Sequence, residues 1–254
     1  IFCLVKDKFQ DIIWVGTDGQ GVYMYFTDAF SIQNTLLNTP AYQINNPVRA
    51  LFLDNEQTLW IGTKGNGILR MLKYTPEKGK PTANERLFTN NSALTDNSVY
   101  CFTPSRWKRL WIGTESGINY YSYQERKLKQ FPVTAGGKAV KYVHSICEQN
   151  DSTLWISTVG EGIVKVSLNT SSGIPTIKDA ERTVLDGGKR ASNYFFISFQ
   201  ENDSILWFGN RGYGAYRINT ETGQMKPYLF NEAVKSQTVN DIFAILKNET
   251  GYWF

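Results

Sequence analysis

The chain has 254 residues, 41% of them hydrophobic and 14% aromatic, which is enough to bury a sizeable core and argues against disorder. Charged residues make up 20% and net only +4, too mild and too scattered a balance for nucleic-acid binding. No apolar run reaches the length that spans a bilayer. No signal-peptide pattern opens the chain either, but that carries little weight, because the chain starts and stops inside strand-like runs.

In chain order, one short block returns five times: Ile13-Trp14-Val15-Gly16-Thr17, Leu59-Trp60-Ile61-Gly62-Thr63, Leu110-Trp111-Ile112-Gly113-Thr114, Leu154-Trp155-Ile156-Ser157-Thr158 and Leu206-Trp207-Phe208-Gly209-Asn210. A sixth begins at Tyr252-Trp253-Phe254. The Trp-to-Trp steps are 46, 51, 44, 52 and 46 residues, and a period of that size signals a repeat architecture.

The second unit shows what one repeat builds. Val48-Arg49-Ala50-Leu51-Phe52-Leu53 is a β-rich run, Asp54-Asn55-Glu56-Gln57 is a turn, and residues 59–63 form a second strand. Lys64-Gly65-Asn66-Gly67 supplies hairpin glycines, and Ile68-Leu69-Arg70-Met71 is the third strand. After a variable loop comes a short outer strand, Glu85-Arg86-Leu87-Phe88 here and residues 127–133 in the next unit. Four antiparallel strands per unit without any helix-period segment predict an all-β fold, a β-propeller of four-stranded blades. The repeats fall at about 1–45, 46–96, 97–140, 141–192 and 193–238, with a truncated sixth at 239–254. The length-variable loops at 75–84 and 169–179 should lie toward the rim. A sixth unit cut short predicts an incomplete arc of a larger molecule rather than a closed five-bladed ring.

The first strand carries a second-order pattern. Asn46, Asn97, Asn193 and Asn240 stand two residues before its first apolar position, with Lys141 as the exception. Their side chains should cap the entering turn. Small residues (Ala50, Cys101, Ser145, Ala244) stand two places after it, suiting an innermost strand, with Ile197 departing from the pattern.

Each repeated Trp should be core, packed against the neighbouring blade, with Gly62 and its equivalents making room. Trp107 differs, sitting among Arg106, Lys108 and Arg109 in a turn, where a contact surface and a turn-stacking role are equally good readings. Cys3, Cys101 and Cys147 fall on three different first strands and read as small buried hydrophobes. The sole histidine, His144, cannot build a His-rich metal site, and no metal or cofactor motif is present. No nucleophile elbow or phosphate loop occurs, and the turn-associated carboxylates Asp54, Glu148, Glu201 and Glu249 offer no defined acid–base pair.

The combination Asn-x-Val, a polar turn, Leu-Trp-Ile-Gly-Thr, and a tail such as Asn119-Tyr120-Tyr121-Ser122-Tyr123 resembles the two-component regulator propeller repeat. The best single stretch runs from Leu94-Thr95-Asp96-Asn97-Ser98-Val99 through Tyr123 to Phe131-Pro132. The turns before Leu-Trp depart from the family's Asp-x-x-Gly, and Ser157 and Asn210 break the Gly-Thr pair. The resemblance implies a segment of a seven-bladed propeller in the periplasmic sensor region of a hybrid two-component system of the Bacteroidetes type. It also implies an oligosaccharide ligand, and as partners the membrane-linked signalling domains and histidine kinase of the same polypeptide. A homodimer fits that picture, and no nucleic acid is expected to bind this segment. Two rivals stay open, a polysaccharide lyase or glycoside hydrolase on a propeller scaffold, and a protein-interaction scaffold.

Ligands of propellers meet the loops entering the first strand and joining the second to the third. That face should carry Asn46, Arg49, Lys64, Asn97, Glu115, Lys141, Tyr142, His144, Glu161, Asn193, Tyr194, Arg211 and Tyr213. Tyr194, Arg211 and Tyr213 form its richest sector, and with His144, Asn193 and Lys64 they are the candidate ligand-binding set. Tyrosine faces with an arginine suit an acidic or sulfated sugar. The same residues would equally serve to solvate the propeller mouth.

Overall fold

Short apolar runs separated by Gly, Asp and Asn turns fold, in the computed structural model, into five successive four-stranded antiparallel sheets. The structure describes residues 1–34, 44–73, 83–171, 175–185, 192–229 and 240–254. The first blade comprises β1 (Cys3–Lys6), β2 (Ile12–Gly16), β3 (Val22–Phe26) and β4 (Ser31–Asn34). The second has β5 (Val48–Leu53), β6 (Thr58–Thr63), β7 (Ile68–Leu72) and β8 (Ala83–Leu87). The third has β9 (Val99–Ser105), β10 (Arg109–Thr114), β11 (Ile118–Ser122) and β12 (Lys127–Gln130). A two-stranded hairpin, β13 (Thr134–Ala135) with β14 (Lys138–Ala139), precedes the fourth blade. That blade is β15 (Val143–Asn150), β16 (Thr153–Thr158), β17 (Ile163–Asn169) and β18 (Thr176–Thr183). The fifth is β19 (Phe195–Asn202), β20 (Ile205–Asn210), β21 (Ala215–Asn219) and β22 (Met225–Tyr228), and a final hairpin pairs β23 (Leu246–Asn248) with β24 (Gly251–Trp253).

The repeat read from the sequence is therefore the blade, and no α-helix occurs among the described residues. Two details differ from expectation. The outer strand expected over 127–133 stops at Gln130, because the chain turns away into the β13–β14 hairpin. The loop expected over 169–179 is shorter, since β17 runs to Asn169 and β18 starts at Thr176. Of the loop expected at 75–84, residues 75–82 lie outside the described residues.

The described chain forms two compact units. The first comprises Ile1–Phe102, Leu110–Glu115 and Asn119–Gln130; the second comprises Thr103–Arg109, Ser116–Ile118 and Phe131–Phe254. Cores in each unit centre on the repeated tryptophans. Trp14, Trp60 and Trp111 are at most 1% exposed, and Trp155 and Trp207 are 6% and 7% exposed. Removing such a ring from water is worth at most about 5 kcal/mol. Trp60 packs edge-on to Tyr121 at 4.9 Å and near Phe102 at 6.1 Å. Trp155 lies 5.8 Å from Phe208.

The glycine two places after Trp14, Trp60 and Trp207 serves close approach of the next first strand. A Cβ on Gly16 would sit 2.8 Å from Val48 Cγ1, and one on Gly62 would sit 2.9 Å from Val99 Cγ1. Gly209 meets Ile242 at 2.7 Å in the same way. In these three blades the next first strand therefore packs where a side chain would otherwise stand.

Candidate functional site

Three first strands carry a one-residue bulge at the same place. The pairing of β5 with β6 slips between Val48 and Ala50, that of β15 with β16 between Val143 and Ser145, and that of β19 with β20 between Phe195 and Ile197. The unpaired residues are Arg49, His144 and Phe196. A bulge twists its strand and re-aims one side chain, here the residue following the first apolar position. Tyr100 and Phe243 stand at the matching sequence positions, so every unit from the second onward puts an aromatic or cationic side chain there.

In the first unit, the Arg49 guanidinium lies 3.8 Å from the ring centroid of Phe2, which is 44% exposed. The Tyr100 hydroxyl donates to Glu115 Oε2 at 2.9 Å. Burial pushes that phenol's pKa up, and the Glu115 hydrogen bond and charge reinforce the shift. Lys64 is exposed in the β6–β7 turn, its backbone N–H donating to Pro47 O at 2.9 Å.

In the second unit, His144, Phe196 and Phe243 form a continuous row. His144 meets Phe196 edge-on at 5.7 Å, and Phe196 meets Phe243 at 4.6 Å and 32°. Phe243 is 62% exposed and Tyr194, the residue just before β19, is 42% exposed. Arg211 donates its backbone N–H to Tyr194 O at 3.0 Å and holds its guanidinium 5.8 Å from the Tyr194 ring centroid. That distance is at the outer limit of a cation–π contact, so the arginine head stays available to an anion.

The remaining members of the set do other work. Tyr213 is half-buried and packs on the core cluster of Trp155, Phe195 and Phe208. Asn193 Oδ1 accepts the Leu185 N–H at 2.7 Å, its Nδ2 donates to Leu185 O at 3.2 Å, and its carbonyl accepts from Gly160 and Gly162. Asn97 repeats the arrangement, with Oδ1 accepting from Thr89 N–H and its carbonyl from Gly65 and Gly67. In these two units the asparagine thus clasps backbone eight residues upstream and pins the glycine hairpin of the preceding blade. This replaces the capping of its own turn expected from sequence. Glu161 is occupied by Arg182 Nη1 at 2.6 Å, while Lys141 and Tyr142 are exposed beside it.

The turn carboxylates are also committed. Indole N–H groups donate to Asp7 from Trp14, to Asp54 from Trp60 and to Glu201 from Trp207, with Gln149 taking the role for Trp155. Glu148 accepts the Arg106 backbone N–H. Among the described residues no group of three or more His, Cys, Asp or Glu is placed to hold a metal ion, and none of the three cysteines is in a disulfide.

The sequence matches the family model of the two-component regulator propeller at residues 42–65 and 93–116. Each match spans the entering turn, the first strand and the Trp strand. The chain is 31% identical over 165 residues to Histidine kinase P4 of Formosa agariphila, covering 64% of this chain and 12% of that protein. Its fold is that of the extracellular domain of a protein assigned as hybrid two-component system BT3049 of B. thetaiotaomicron. The TM-score is 0.69 at 20% identity, over 98% of this chain and 31% of the other. The extracellular domain of BT4673 from the same organism superposes with a TM-score of 0.65 at 16% identity, over 100% of this chain and 45% of that one. The chain is thus a minor part of the length of each relative. With its Trp-Ile-Gly-Thr blades and these two matches, the chain carries repeats similar to those of the two-component regulator propeller family.

Proposed function

We propose that this chain is a non-catalytic, ligand-sensing propeller segment of the periplasmic sensor region of a hybrid two-component system, and that its ligand is an acidic oligosaccharide. One observation carries the reading: in the second unit, exposed Tyr194 stands beside the Arg211 guanidinium and near the row His144–Phe196–Phe243. Aromatic faces accept the apolar faces of sugar rings, and an arginine fork pairs with a carboxylate or sulfate. The two matches to the two-component regulator propeller model support the sensory role, and the extracellular placement of both solved neighbours supports a periplasmic one. The carboxylates that an enzyme reading would recruit, Asp54 and Glu201, are bound to indole N–H groups, which favours sensing over hydrolysis. Tyr213 and Asn193 support the site from behind, and Lys64 belongs to the first unit. In this reading the segment relays ligand binding to membrane-linked kinase domains of the same polypeptide.

Calorimetric titration of a panel of acidic oligosaccharides tests the reading against a Tyr194→Ala, Arg211→Ala double variant. Both side chains are exposed, so the variant should fold. A loss of about 2 kcal/mol or more in binding is expected from removing a stacking face and a charge-assisted pair. Equal affinity of the two proteins, or no binding by the wild type, would remove the proposed site.

A further inference from the structure

Four short segments of the second unit meet edge to edge where the chain enters β15 and β19. Tyr142 O accepts the Val159 N–H at 3.0 Å, one residue before β15 and one after β16. Val159 forms an isolated antiparallel bridge with Tyr194, and Tyr194 O accepts the Arg211 N–H. The order across this rim is therefore Tyr142, Val159, Tyr194, Arg211. The two tyrosines stand two strand spacings apart, about 10 Å at the backbone. They hold the same place in consecutive blades, each immediately before a fully buried residue, Val143 or Phe195, and each is 42% exposed.

The blade itself does not ask for a tyrosine at this place. The matching positions of the other units hold Pro47, Ser98 and Asp241. Tyr142 has a φ of +52°, in the left-handed region that a side chain of this bulk disfavours and that Gly or Asn would enter more easily. Such strain persists where neighbours hold it, here the buried Val143 on one side and the Val159 hydrogen bond on the other. An exposed ring kept at a strained backbone position adds little to the core, so its use lies on the surface. Between the two rings the floor is open backbone. Gly160 is exposed and has no side chain, and a Cβ there would lie 4.0 Å from Tyr194 Cζ. A ligand can therefore approach the main chain closely between the two tyrosines.

We propose that Tyr142 is a second stacking platform of the Tyr194–Arg211 site, and that it sets the length of the ligand the site selects. The acidic ring lies on Tyr194 with its anion at Arg211, and the ring linked to it lies on Tyr142. The separation of the two platforms is more than one pyranose ring spans, and two linked rings reach across it. Tyr142 is thus a specificity-determining residue that distinguishes an acidic disaccharide or longer chain from its acidic monosaccharide. This inference rests on the sensing reading above.

Calorimetric titration of the folded chain with two series of acids tests it. One is glucuronate with the two disaccharides that join it to glucose in either order. The other is glucose 6-sulfate with cellobiose carrying a single 6-sulfate on either ring. The best disaccharide should bind at least about tenfold more tightly than its own acidic monosaccharide. Tyr142→Ala keeps an L-residue at the same φ and removes only an exposed ring, so it should fold. It should lose that tenfold advantage and bind the monosaccharide as the wild type does, while Tyr142→Phe, which keeps the ring face, should retain the advantage. Three results would each overturn the role of Tyr142 and leave the Tyr194–Arg211 site standing: disaccharides bound no better than monosaccharides, equal disaccharide affinity of Tyr142→Ala and wild type, or loss of the advantage in Tyr142→Phe. Failure of the wild type to bind any of these compounds would remove the sensing site and this inference together.

Discussion

The indole N–H of Trp60 donates to Asp54 Oδ2 at 2.9 Å across the turn joining β5 to β6. Asp54 is 3% exposed and fully used, with Oδ1 accepting the backbone N–H groups of Glu56 and Thr58 and Oδ2 also accepting the Tyr123 hydroxyl at 3.2 Å. One carboxylate thus shapes the turn, satisfies the buried indole and ties in the third blade's Tyr123. Burial also pushes the Tyr123 phenol's pKa up, with the Asp54 charge adding to it.

Asp54→Ala should cost about 3 kcal/mol, because Trp60 and Thr58 keep buried donors that lose their partner. The fourth blade reverses the substitution logic. Gln149 Oε1 accepts from Trp155 while its Nε2 donates to Asp203 O and to Thr220 Oγ1. Gln149→Glu should therefore destabilise by about 2 kcal/mol, since a carboxylate would face a carbonyl oxygen. Urea unfolding of both variants measures this. A Gln149→Glu protein as stable as wild type would show that the amide donors are dispensable.

Much of this architecture was legible in the sequence, because the features that specify it repeat with the same chemistry. Trp, the following Gly (Ser157 in the fourth blade) and the hairpin glycines recur in the same order, and they answer contacts: core burial, approach of Val48 or Val99, or a turn. The site was less legible because its defining positions vary in chemistry. The bulge residues are Arg49, His144 and Phe196, which share a backbone irregularity rather than a side-chain type. Their alignment one place after the first apolar residue was the available signal. The indole acceptors change among Asp, Gln and Glu, and Asp7 lies seven residues before its Trp where the others lie six. Tyr194 and Tyr213 look equivalent in the sequence, but only packing separates an exposed ring from one on the core.

Glu201 should make acid stability measurable. Burial raises its pKa, but hydrogen bonds from Trp207 and Arg217 and the arginine's charge outweigh that and hold it below the ordinary glutamate value. A depressed carboxylate contributes stability above its unfolded pKa and loses it as pH falls through the folded value. Wild-type stability should therefore drop between about pH 5 and pH 3, and Glu201→Gln should flatten that limb while costing about 1 kcal/mol near pH 7. Parallel stability–pH curves for the two proteins would contradict the assignment.

The first-strand thiols should be unreactive in the native state. Burial pushes the Cys3 thiol up to about 12 and the Cys147 thiol up to about 11, the latter helped by the Glu148 charge. Only the thiolate is alkylated, so iodoacetamide at about pH 8 should label Cys147 roughly 100-fold and Cys3 roughly 1000-fold more slowly than in the urea-unfolded chain. Peptide mapping by mass spectrometry reads each site. Equal labelling rates in native and unfolded protein would mean that these strands are open to solvent.

The second glycine of the β6–β7, β16–β17 and β20–β21 hairpins should tolerate no side chain. Gly162 has φ of +82°, and a Cβ there would lie 2.2 Å from Thr183 O, the carbonyl ending the fourth strand of its own blade. Gly67 against Leu87 O at 2.3 Å and Gly214 against Tyr228 O at 2.0 Å repeat the contact. The obstruction is backbone, so it cannot rotate away, and the outer strand must detach or the hairpin must open. Gly162→Ala should cost about 3 kcal/mol or more, combining left-handed strain of about 1 kcal/mol with the overlap. Gly136 is the control: its φ is +61°, but nothing lies within 4 Å of the place a methyl group would take, so Gly136→Ala should cost only the strain, about 1 kcal/mol. Urea midpoints of the two variants separate the contributions. If both lose the same stability, the carbonyl contact is not what requires glycine, and the hairpin's demand is conformational alone.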